Sequence, residues 1–314
     1  MNNIIFPCAA VVCVVFNLMT HISAQADTFG GGTTNEFTID FVDIGNMDNA
    51  ADTTSYGAVP YEYRVGKYEI TQDAITKATA SGMADVTAGA WTGNQPAADI
   101  DWYEAAAFVN FLNTSSGKTV AYDLTFSNGS WSMALWSNDQ AWTAGGTNLY
   151  RNKDAFYFLP SENEWYKAAY YNAAGTNYFL YPTASNTAPT AVASGTNADT
   201  AVYQFVSFSP AVVNAAGGLS SYGTMGQGGN IWEMNETAFD GSNNSPSESR
   251  ALRGGSYPND ATRLVSSYHQ ATEPLDSAAS IGFRVASVPE PSTYVLLLLG
   301  AGAVYCWKYR ARAL

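Results

Sequence analysis

The chain has 314 residues, of which 27 are acidic and 14 basic, for a formal net charge of −13. A surplus of that sign repels phosphate backbones and excludes nucleic acid as a partner. Aromatic residues reach 14% and charged residues only 13%, with Asn, Thr, Ser and Gly between the aromatic positions, a balance that suits a secreted domain with many loops over short elements.

At the N-terminus, Ile4 to Leu18 is almost wholly apolar and Ala24-Gln25-Ala26 supplies a small-x-small cleavage site. Residues 1–26 therefore read as a secretory signal, although only Met1-Asn2-Asn3 and no basic residue precedes the apolar run. The alternative, an uncleaved anchor, is disfavoured because the run falls short of a bilayer span. Residues 27–36 read as a flexible lead-in. Phe37 to Ile44 and Tyr61 to Tyr68 alternate apolar and polar residues as half-buried strands do, with a polar loop from Asn46 to Gly57 between them.

Three helix starts follow. Thr71 can cap a helix through Ala80, ended by Gly82. Asp101 caps a second, with Glu104 completing a capping box, and Gly117 ends it. Trp102, Ala105, Ala106, Val109 and Leu112 form one stripe along it, which reads as core and not as a cofactor box. Ser161 and Glu164 repeat the capping box, with Trp165, Ala168 and Ala169 on the buried face. Between the last two helices, Asn128-Gly129 predicts a two-residue hairpin turn. It would pair Phe126 with Trp131, Leu124 with Met133 and Tyr122 with Leu135 on one face. Residues 183–200 read as a surface excursion, and Gly-rich loops follow at Gly217-Gly218 and from Gly223 to Gly229. Residues 37–287 read as a single domain.

Val288-Pro289-Glu290-Pro291-Ser292 precedes a 14-residue apolar run from Tyr294 to Trp307 and the basic tip Lys308-Tyr309-Arg310-Ala311-Arg312. That run is short for a bilayer span, and the tip would stay cytoplasmic. The segment 288–314 resembles the PEP-CTERM sorting signal. The resemblance implies transient membrane anchoring through the C-terminal helix, an exosortase-type protease as partner, and release to the envelope or extracellular matrix. A plain C-terminal anchor is the alternative.

Cys8, Cys13 and Cys306 are the three cysteines, all in the two terminal segments, and His269 is the one histidine besides His21. Residues 27–289 hold 26 acidic and 11 basic side chains and no thiol. A disulfide framework and a zinc or non-haem iron site built on several Cys or His ligands are both excluded there.

Five blocks carry a wider resemblance. They are Tyr63-Arg64-Val65-Gly66-Lys67-Tyr68-Glu69-Ile70-Thr71, Asp101-Trp102-Tyr103-Glu104-Ala105-Ala106, Phe158-Leu159-Pro160-Ser161-Glu162-Asn163-Glu164-Trp165 and Gly228-Gly229-Asn230-Ile231-Trp232-Glu233. The fifth is Arg253-Gly254-Gly255-Ser256-Tyr257 with Gly282-Phe283-Arg284. In this order, over roughly Ile39 to Ala286, the chain resembles the formylglycine-generating (sulfatase-modifying factor) family. The resemblance implies an α+β, C-type-lectin-like fold: small twisted sheets, flanking helices and long irregular loops. Arg253 and Arg284 read as buried ion-pair partners, with Glu69 and Glu233 as candidate carboxylates.

Enzymes of that family oxidise a substrate cysteine with two cysteines placed between the last two motifs, which hold copper as thiolates. Here Pro258-Asn259-Asp260-Ala261-Thr262-Arg263 through His269 contains none. Formylglycine synthesis is disfavoured, and no copper or iron is expected. Some members bind calcium at the Gly-Asn-x-Trp-Glu loop. Gly229, Ile231 and Glu233 match those positions, but Gly226 stands where a side-chain oxygen is usual, so the alternative is a Glu233 satisfied within the protein.

Two functions remain. One is a non-catalytic binding or structural module with a glycan or envelope protein as ligand. The other is a formylglycine-generating-family oxidoreductase or other enzyme using the same pocket without the cysteine pair, whose lining candidates are Tyr257, Asp260, Arg263, Tyr268 and His269.

Overall fold

The computed structural model describes residues 25–87 and 89–289. The expectations for the sorting tail beyond Pro289 and for the signal up to Ala24 lie outside the described residues.

The main sheet is antiparallel, in the order β1-β2-β3-β15-β8. Its strands are β1 (Ala26–Phe29), β2 (Phe37–Ile44), β3 (Tyr63–Gly66), β8 (Tyr157–Phe158) and β15 (Ala286–Ser287). The alternation in β2 places Phe37, Ile39, Phe41 and Ile44 in the core. β15, last in sequence, lies between β3 and β8, so the sheet closes only when the end of the domain is in place.

Among the described residues three α-helices pack on this framework: α1 (Gln72–Ala80), α2 (Trp102–Ser115) and α3 (Glu162–Tyr170). Thr71 accepts from Ala74 N, and both capping boxes form, Asp101 with Glu104 and Ser161 with Glu164. Trp102, Ala105, Ala106, Val109 and Leu112 are all fully buried, so the α2 stripe is core. A second sheet, in the order β13-β12-β11-β14, carries β11 (Trp232–Ala238), β12 (Arg250–Arg253), β13 (Gln270–Thr272) and β14 (Ile281–Gly282).

Three expectations need correction. The lead-in is not loose at its start: Ala26–Phe29 pairs with β2, because Asp27 and Phe29 both point inward and only Gly30 onwards turns. Phe29 stacks on Phe37 at 5.2 Å. The hairpin of β4 (Asp123–Ser127) and β5 (Ser130–Ala134) has the expected Leu124–Met133 and Phe126–Trp131 pairs but ends at Asp123–Ala134. Tyr122 leaves the ladder for the core, where its hydroxyl donates to Glu236 and accepts from Leu159 N. The excursion at 183–200 is not wholly irregular: Thr190–Ala191 pairs in parallel with Thr200–Ala201, and Gly195 bridges in parallel to Ala216.

Candidate functional site

The Gly-Asn-x-Trp-Glu loop delivers Glu233 into the interior at the start of β11. Arg284 grips it with two bonds, Nε to Oε2 and Nη2 to Oε1, both 2.5 Å, while Trp165 Nε1 donates to Oε2 at 2.7 Å. The same guanidinium donates to Gly66 O at 2.7 Å and Met225 O at 3.0 Å. Arg284 is thus the buried ion-pair partner expected, and its carboxylate is Glu233, not Glu69. Glu69 instead accepts from Asn230 Nδ2 at 2.8 and 3.1 Å. Burial, and next the negative charge of Glu233, push the Glu69 carboxyl well above its ordinary value.

Calcium does not fit this arrangement. Both Glu233 oxygens already face a resident cation, and a divalent ion there would meet the guanidinium charge. Gly226 offers no side-chain oxygen, and a Cβ built at it would lie 2.8 Å from Glu69 Oε2. Gly229 serves close packing: its φ is +84° and its own Cβ would lie 2.2 Å from Val202 O.

A second polar group sits at the start of α3. Glu162 Oε1 accepts from Arg253 Nε at 2.7 Å and lies 3.0 Å from His269 Nδ1. Arg253 Nη1 donates to Ser266 O and Tyr268 O, which fixes the chain leading to His269. The imidazole stands between Phe239, 4.7 Å away, and Tyr56, 5.5 Å away, with a quarter of its side chain exposed. Glu162 was not singled out from the sequence, because only its place in a capping segment marked it.

The other expected residues occupy different surroundings. Tyr257 packs edge-on against Trp91 at 6.1 Å and Phe205 at 6.3 Å. Asp260 caps the single turn Ala261–Arg263, and its bonds from Thr262 hold it below the usual carboxylate range. Arg263 lies 4.3 Å over Tyr268, which rests on Trp232 at 5.8 Å. A cleft of about 350 Å³ lies instead between the β4–β5 hairpin and the start of α2, and none of these residues lines it.

The sulfatase-modifying factor enzyme 1-like domain matches residues 32–288. The chain belongs to that family. As a sulfatase-modifying-factor-like protein it also carries the PEP-CTERM protein-sorting motif at residues 287–312. That motif marks it for export to the cell envelope and for processing by exosortase-type machinery. No helix among the described residues is long and apolar enough to cross a membrane.

The fold is similar to that of Treponema denticola variable protein 1, 20% identical with a TM-score of 0.60 over 86% of this chain and 100% of that one. CarF is 18% identical with a TM-score of 0.57, over 80% of this chain and 99% of its own. PvdO from Pseudomonas aeruginosa is 13% identical with a TM-score of 0.53, over 86% and 100%. At these identities the likeness concerns the fold, α+β and formylglycine-generating-enzyme-like, and not the activity. A comparison with curated proteins found no match.

In this family member the sequence left a second feature unread. Phe208 is 85% exposed and Phe205 54%. The available signal was the stretch from Thr200 to Trp232, which contains no Asp, Glu, Lys or Arg yet holds Phe205-Val206-Ser207-Phe208.

Proposed function

We propose that the exported domain is a non-catalytic binding module whose ligand is a glycan or an envelope protein. The donor set carries this reading: no cysteine lies between Gln25 and Pro289, so thiolate-held copper has no ligands and the family oxidation has no sulfur to work with. Tyr257, Asp260, Arg263, Tyr268 and His269 support it too. Arg263 and Tyr268 meet each other, but Tyr257, Asp260 and His269 each have other neighbours, so the five do not gather at one reacting position.

The test is a binding screen of the purified full-length protein against matrix glycans and envelope proteins, run beside an assay with a cysteine-containing peptide. Retention of a ligand with the peptide unchanged is the expected result. Conversion of the peptide cysteine to an aldehyde overturns the reading.

A second reading is favoured by one contact, His269 Nδ1 at 3.0 Å from Glu162 Oε1. A carboxylate that orients a partly exposed imidazole is the arrangement acid–base catalysis uses. A turnover screen of wild type against His269→Ala separates the two readings, since a reaction that disappears in the variant favours the enzyme.

A further inference from the structure

We infer that the rings of Phe208, Phe205, Tyr257 and Trp91 form a docking face for a neutral polysaccharide, an inference that rests on the binding-module reading and names its ligand class and its surface. The four rings follow one another in space. Phe208 to Phe205 is 6.1 Å between centroids, Phe205 to Tyr257 is 6.3 Å and Tyr257 to Trp91 is 6.1 Å. Phe208 and Phe205 stand 85% and 54% exposed, more than the other exposed aromatic rings, Phe126 and Phe239 at 38% each, while Tyr257 and Trp91 behind them are partly buried. Contiguous apolar surface of this kind marks a contact site.

The face is rigid. Gln204 and Phe205 are consecutive non-glycine residues in the left-handed region, with φ of 64° and 53°. Two backbone bonds hold them there, Gln204 N to Asn259 O at 2.6 Å and Phe205 N to Tyr257 O at 2.9 Å. Gln95 Nε2 donates to Pro210 O at 3.0 Å and Val213 N to Asn94 O at 2.9 Å, which ties the far side of the loop to the segment bearing Trp91. A conformation that is costly for L-residues and braced from both sides presents its rings without losing further freedom on binding.

Charge selects the ligand. Residues 200–232 carry no Asp, Glu, Lys, Arg or His, whereas the chain as a whole is at −13. An anionic polymer is repelled by the overall field, and an ionic ligand finds no counter-charge in the loop that bears Phe205 and Phe208. The polar side chains that flank those rings in the chain, Gln204, Ser207 and Ser209, are neutral donors and acceptors. Apolar ring faces beside neutral hydrogen-bonding groups match a sugar, whose C–H faces are apolar and whose edges are uncharged hydroxyls.

The test is electrophoresis of the full-length protein through native gels containing dextran, a galactomannan, a soluble β-glucan or anionic alginate. The comparison is between wild type, Phe208→Ala and, as a control on an exposed ring of the β4–β5 hairpin, Phe126→Ala. Wild type is expected to be retarded by at least one neutral polymer, with an apparent affinity lowered about tenfold by Phe208→Ala and unchanged by Phe126→Ala. Equal mobility of wild type and Phe208→Ala in every neutral gel overturns the inference. Retention by alginate alone, or by an envelope protein alone, removes the neutral glycan but leaves the binding module standing. Failure to retain any glycan or protein removes both.

Discussion

Asp27 and Arg64 form a two-pronged ion pair in the interior, Nη2 to Oδ2 at 2.7 Å and Nη1 to Oδ1 at 3.0 Å. The third nitrogen of Arg64, Nε, donates to Ser287 Oγ at 2.9 Å. One guanidinium on β3 therefore joins the first strand of the domain to the last, and Ser287 already belongs to the matched sorting motif. Tyr157 also donates to Asp27, at 2.8 Å, so the carboxylate is part of the sheet and not of a loose leader.

Replacing Asp27 with Ala leaves the Arg64 charge buried and unpaired. Loss of one partner from such a pair costs about 3–5 kcal/mol. Urea unfolding of Asp27→Ala is expected to show a lower midpoint by that measure, with part of the loss recovered in Asp27→Ala/Arg64→Met. An unchanged midpoint in the single variant contradicts the role given to this pair.

The Glu233–Arg284 pair leads to a prediction about metal. Because the carboxylate is held by its own cation, millimolar calcium or a chelator is expected to leave the melting temperature where it was. Arg284→Met is expected to destabilise by about 3–5 kcal/mol through the stranded Glu233 charge. A calcium-dependent rise in melting temperature in the wild type would show that the loop takes a metal after all.

Asp101 gives a pH dependence. Burial, opposed by the Glu104 backbone bond, pushes its carboxyl from 3.8 up to about 6. The folded state therefore holds a proton over that window which the unfolded state has released. The stability linked to this group is complete below the unfolded value and is lost as the pH rises through about 6. Asn at this position keeps the helix cap and carries no charge. Asp101→Asn should thus gain on wild type as the pH rises through the window, whereas Asp101→Ala should lose about 1 kcal/mol of capping. Urea midpoints across the window check the sign. A wild-type advantage over Asn that grows with pH refutes it.

Gly229→Ala tests whether that glycine is there for backbone approach. A methyl group would meet Val202 O, and the residue would be forced to keep a φ of +84°. A loss of about 2 kcal/mol or more in thermal or urea unfolding is expected. Tolerance of the substitution would mean that the two loops can separate without cost.

What the sequence determined by itself is what depends on near neighbours. Asp101 with Glu104 and Ser161 with Glu164 are three residues apart, and a bond over that span needs only the local backbone. Asn128-Gly129 likewise set the Leu124–Met133 register through its own turn geometry. The absence of cysteine from residues 27–289 needed no structure at all, since no arrangement can supply an atom the chain lacks.

Tertiary structure alone decided the partners. Arg64 could have chosen among many carboxylates, and Asp27 lies 37 positions away. Glu162 and His269 are 107 apart, and nothing in either segment names the other. Arg284 chose Glu233 over Glu69 because β14 runs beside β11, which brings the segment just before Arg284 to the start of that strand. The exposed rings of Phe205 and Phe208 escaped notice for the same reason: whether an apolar side chain meets core or water depends on where distant loops close around it, and local pattern holds no record of that closure.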